Sequence, residues 1–128
     1  MSQPKIKTFE AACKALKLDP AKATPKVVGF PKQHAKALIA IGKLMIIVQA
    51  LNGDWKPNWQ DTNQPKYYGW WDLNKDSDNR SGFRLFCVSY GYDCSNVGSR
   101  LCFRSRELAE WAVKQPQIKK LYKEFMLL

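Results

Sequence analysis

From Lys32 to Asn52 the chain runs for 21 residues without a proline, between Pro31 and Gly53. Proline's fixed φ suits a first helical turn, and a glycine readily takes the left-handed exit that ends one. Ala35, Leu38, Ile39, Gly42, Met45, Ile46 and Gln49 fall along one side at helical spacing, while Ile41, Ile47, Val48 and Leu51 widen the apolar surface beyond one stripe. The spacing predicts one long helix, largely enclosed, and any fold must supply surfaces to cover it. Its most apolar stretch, ALIAIGKLMIIVQAL at 37–51, is interrupted by Lys43 and Gln49 and is too short to span a bilayer, so no membrane partner is expected.

The flanking segments have different periods. In TFEAACKALKL, Thr8 can cap a short helix that places Phe9, Ala12, Cys13 and Leu16 on one face, with Asp19-Pro20 ending it. After Gly53, the prolines of GDWKPNWQDTNQPK predict an ordered loop over 53–66, anchored by Trp55 and Trp59. YYGWWDL (67–73), GFRLFCVSYGY (82–92) and VGSRLCF (97–103) read as three strands, and their short connections favour antiparallel pairing. Ser105 is a good N-cap for a C-terminal helix, which Gln115-Pro116 bends or divides. The expectation is an α+β fold: N-terminal helices packed on a small antiparallel three-stranded sheet, followed by a C-terminal helix. The length suits a single domain over 1–128, with residues 1–7 as a flexible tail.

Charge narrows the class of partner. The formal net charge is +10, and residues 1–60 hold ten lysines against Glu10, Asp19 and Asp54. Such a balance attracts polyanions. Most of the aromatic residues lie between Trp55 and Tyr92, interleaved with basic ones. The candidate nucleic-acid site therefore takes Arg100, Arg104 and Arg106 for phosphate, Arg84 and Lys66 nearby, and Tyr68, Trp70 and Phe83 as stacking groups. Core packing is the more ordinary role for these rings, and a strand-to-helix junction explains most of GSRLCFRSRELAEWA at 98–112 without a ligand. Aromatic and arginine side chains also anchor protein interfaces, so a host or phage protein is the alternative partner.

Other chemistries find little support. Cys87, Cys94 and Cys102 lack the close pair of a structural zinc site, and DLNKDSDNRSGF lacks the turn glycine and the final glutamate of a calcium loop. His34 has no nucleophile at a recognisable spacing, so neither enzyme activity, nor a metal, nor a cofactor is expected. MSQPKIKTFEAACKA has no apolar core of signal-peptide length, which points to a cytoplasmic protein with free thiols.

Together, EAACKALKLDP, KALIAIGKLMIIVQALNGDWKPNW, KYYGWW and VGSRLCFRSRELAEWA resemble a family of small uncharacterised proteins encoded by phages and prophages of gut Bacteroidetes, over about residues 8–126. The resemblance implies an accessory role within a bacterial host cell. It implies no particular activity, no catalytic residues and no oligomeric state.

Overall fold

A computed structural model describes residues 5–128. The expected N-terminal tail falls mostly on residues 1–4, outside the described residues. The chain divides into two compact units: a helical one, 1–53 with 115–128, and a mixed one, 54–114.

In the helical unit, α1 (Phe9–Ala15) is capped by Thr8, whose Oγ1 accepts the Ala11 N–H at 3.1 Å. Its exit is unusual. Lys17 takes φ 59°, Leu18 N–H donates to the Cys13 carbonyl and Lys17 N–H to that of Lys14. This is the paired closure that normally places glycine at the left-handed position. The short α2 (Pro20–Ala23) follows, with Asp19 accepting from Ala21 N–H. The long helix α3 spans Lys32–Asn52 between Pro31 and Gly53, as the sequence predicts, and Gly53 has φ 62°. It packs against α1 and against α5 (Pro116–Met126). The Phe9 N–H also donates to Gln117 Oε1 at 2.7 Å, tying α1 to α5.

Two features of α3 differ from expectation. Its buried residues are Ala40, Leu44, Ile47, Val48 and Leu51, with Asn52, a stripe rotated away from the Ala35–Gln49 side. Nor is the helix enclosed: Leu38 is exposed, and Ile39, Met45 and Ile46 are only half-buried. A helix apolar on nearly every side does not encode which side meets its neighbours. By length and composition α3 also matches a bilayer span, a test that core helices of water-soluble proteins pass as well.

In the mixed unit, β1 (Lys66–Asp72) and β2 (Arg84–Gly91) form an antiparallel pair, and α4 (Arg106–Val113) packs on both. Among the described residues the sheet has two strands, not three. Of the expected strand at 97–103, only an isolated bridge remains, in which Phe103 and Tyr67 exchange N–H···O bonds of 3.1 and 2.7 Å. The cause is local. Gly98 sits at φ 70°, and the Ser95 Oγ accepts the N–H groups of both Val97 and Gly98, curling the backbone into a turn. Leu101, Cys102 and Phe103 are then buried in succession, which a two-faced strand would not allow. Within the mixed unit the sheet's helical cover is α4, from the segment expected to follow it. Ser105 caps α4 by accepting Leu108 N–H at 3.1 Å, and an extended Gln115 separates α4 from α5, so the C-terminal helix is two helices.

Candidate nucleic-acid interface

The register of the ribbon sorts its side chains. Tyr67 opposes Tyr90 and Gly69 opposes Val88, and paired residues share a face. A Cβ on Gly69 would lie 3.1 Å from Val113, so α4 approaches the sheet on this side. The opposite face carries Tyr68 and Trp70, which meet edge to face at 6.4 Å, together with Ser89 and Cys87. Trp70 opposes Cys87 while Trp71 opposes Leu85, leaving Phe86 as the extra residue of a bulge. Trp70 is 47% exposed and Phe86 67% exposed, and both line a shallow depression with Leu73.

Half of the residues proposed from sequence face inward or hold the unit together. Lys66 is 1% exposed; its Nζ donates to the Asp61 carbonyl at 3.1 Å and the Tyr92 carbonyl at 2.5 Å, and lies 5.0 Å from the Trp59 ring centroid. Phe83 is buried and stacks on Trp71 at 4.6 Å. Arg84 Nε meets Asp72 Oδ2 at 3.0 Å, and its Nη1 donates to the Asp78 carbonyl. The Asn74 N–H and, after it, Arg84 hold the Asp72 carboxyl below its ordinary value. Arg106 donates to the Val88 carbonyl at 2.8 Å and spreads over the rings of Tyr67 and Tyr90. Arg100 and Arg104 are exposed, in the turn after Gly98 and just before α4, and Tyr68 and Trp70 stand together on the open face.

Charge lies elsewhere. Residues 54–114 carry nine basic groups against eight acidic ones, a net of +1. The helical unit carries twelve lysines against Glu10, Asp19 and Glu124, a net of +9. It contains no arginine, and eleven of the twelve lysines are exposed, the exception being Lys43 beside the Phe9 ring. The protein's charge excess and its exposed sheet aromatics therefore belong to different units. Sequence reading of the site missed Lys119, Lys120 and Lys123. Their signal was present as three lysines within five positions of an amphipathic helix, once folding returns that helix to the N-terminal ones. It also missed Phe86, whose exposure follows from a bulge that no residue pattern announces.

All four cysteines are free thiols: Cys13 and Cys102 are buried, Cys87 and Cys94 exposed. Burial pushes the Cys102 thiol up to about 11 and also raises Cys13, which Glu10 and Asp19 push further. Among the described residues, no three His, Cys, Asp or Glu side chains gather as a metal site. The 72–83 turn satisfies its own polar groups, with buried Asn79 donating to the carbonyls of Asp72 and Asn74. No protein-family model, curated protein or solved structure matches the chain.

Proposed function

We propose that this is a nucleic-acid-binding accessory protein, in the phage or mobile-element setting that the family resemblance implies, and that its lysine-rich helical unit holds the phosphate backbone. The observation that carries this reading is the net +9 of that unit, displayed on eleven exposed lysines. Each ammonium is a compact, strongly hydrated point charge on a flexible stem, suited to phosphate oxygens without the planar geometry that reads base edges. Affinity then derives from release of condensed counterions, so binding is sequence-tolerant and strongly salt-dependent.

Fluorescence-anisotropy titration with single-stranded DNA, duplex DNA and RNA oligonucleotides tests this at two salt concentrations. With about six phosphate contacts, affinity falls roughly a thousandfold between about 50 and 200 mM salt. Absence of binding at the lower salt, or an affinity indifferent to salt, rules the reading out.

A second reading rests on the open sheet face, where Trp70, Phe86 and Leu73 are exposed on a nearly neutral unit. Tryptophan and other aromatics are favoured anchors of protein interfaces. Recovery of one stoichiometric protein after nuclease treatment, lost on Trp70→Ala and Phe86→Ser, would favour it over the first.

A further inference from the structure

Within the helical unit, the start of α3 and the end of α5 form a groove of about 440 Å³ whose walls carry Lys32, Lys36, Lys120, Lys123 and Glu124. Its lining side chains thus bring four ammonium groups and one carboxylate. Lys36 Nζ and Lys120 Nζ each lie 4.0 Å from Glu124 Oε1, so two ammonium groups from different helices converge on a single oxygen. The carboxylate is recessed, with its side chain 20% exposed, whereas those of Lys36 and Lys120 are 69% and 74% exposed. An approaching anion thus meets the cations before it meets Glu124. Both ion pairs are long and open to solvent, a regime in which such pairs contribute little and exchange readily.

We infer that this groove is the seat of the backbone phosphates, with Glu124 as an internal counter-anion. In the free protein its carboxylate gathers Lys36 and Lys120; a phosphodiester displaces it and takes over both ammonium groups, with Lys32 and Lys123 extending the contact along the strand. The inference rests on the nucleic-acid reading and deepens it. A small phosphorylated metabolite fits less well, because sites for such ligands enclose them and fix their orientation with a few placed polar groups. Here the ammonium groups are exposed and stand at an open rim, which suits a continuous polyanion.

The test compares three full-length variants with wild type, using one single-stranded DNA oligonucleotide across a salt series. The groove variant changes Lys32, Lys36, Lys120 and Lys123 to Gln. A control of equal charge changes Lys7, Lys14, Lys22 and Lys26, from the same unit, to Gln. The third is Glu124→Gln. All the exchanged lysines are exposed, and circular dichroism verifies that each variant folds. The groove variant should lower the slope of log affinity against log salt by about 2.8, the value for four lost contacts on a single strand, and the control by less than about 1. Glu124→Gln should raise affinity several-fold, because the competing carboxylate is gone. Equal losses in the groove and control variants overturn the groove while leaving nucleic-acid binding intact. An unchanged or lower affinity for Glu124→Gln also overturns it. Failure of wild type itself to bind removes the underlying reading, and the groove with it.

Discussion

Lys66 gives a quantitative test of how the mixed unit is held together. Its ammonium is buried, donates to the carbonyls of Asp61 and Tyr92, and sits over Trp59. Through these contacts it ties the 54–65 loop and the end of β2 to the start of β1. The substitution Lys66→Met keeps an unbranched apolar stem and removes only the charged head. Each hydrogen bond from a charged donor is worth about 1.5–3 kcal/mol, and the ring contact about 0.5–2 kcal/mol. Opposing them, methionine avoids the cost of desolvating an ammonium, which is several kcal/mol. The two bonds and the ring contact together are worth about 3.5–8 kcal/mol, and the avoided desolvation offsets several of these, leaving a net expected loss of about 2–3 kcal/mol. For a chain of this size, between the small and large domain regimes, that lowers Tm by about 6–15 °C. Thermal and urea unfolding followed by circular dichroism measure it, with exposed Lys56→Met as the control, expected within about 0.5 kcal/mol of wild type. A Lys66→Met protein as stable as the Lys56→Met control would refute the reasoning, because the inward hydrogen bonds would then carry no weight.

Other outcomes follow from single sites. In native protein, a thiol reagent such as dithionitrobenzoate should modify Cys87 and Cys94 quickly, while Cys13 and Cys102 wait for unfolding; mass spectrometry of the labelled peptides reads the order. Lys17→Gly should stabilise the protein by roughly 0.5–1 kcal/mol in a denaturant titration, because glycine takes the left-handed exit of α1 without the steric cost that lysine bears. Asp72, held below the ordinary carboxylate range by the Asn74 N–H and by Arg84, stabilises the fold above that range, and the contribution is lost as pH falls through its folded value. Wild type should therefore exceed Asp72→Asn in stability at neutral pH, and the gap should close below about pH 4.

What could be read in the sequence was what local chemistry decides. The bounds of α3 follow from Pro31 and Gly53, and the caps Thr8 and Ser105 from hydroxyls placed just before helical spacing begins. The first two strands are carried by aromatic residues, with Val88 in the second. VGSRLCF also offers Val97 and Phe103 at alternating spacing, but Gly98 and the Ser95 turn override it, and backbone curvature of that kind is not visible in alternation alone. Burial was harder still. Lys66 looks like a phosphate contact in sequence and becomes an internal strut because the 54–65 loop and the Tyr92 carbonyl arrive from both sides of the chain. Phe83 looks available for stacking and is instead covered by Trp71. The lysine excess was legible as charge, yet its gathering in one unit depends on α5 returning to α3 across more than 60 intervening residues.

The most direct measurement of the central claim is an NMR titration of the uniformly labelled protein with a single-stranded oligonucleotide at low salt. Backbone and lysine side-chain resonances should shift at Lys32, Lys36, Lys120 and Lys123, saturating together, while residues 66–91 stay in place. Shifts centred on Tyr68, Trp70 and Phe86, with the helical unit silent, would contradict the account and move recognition to the sheet.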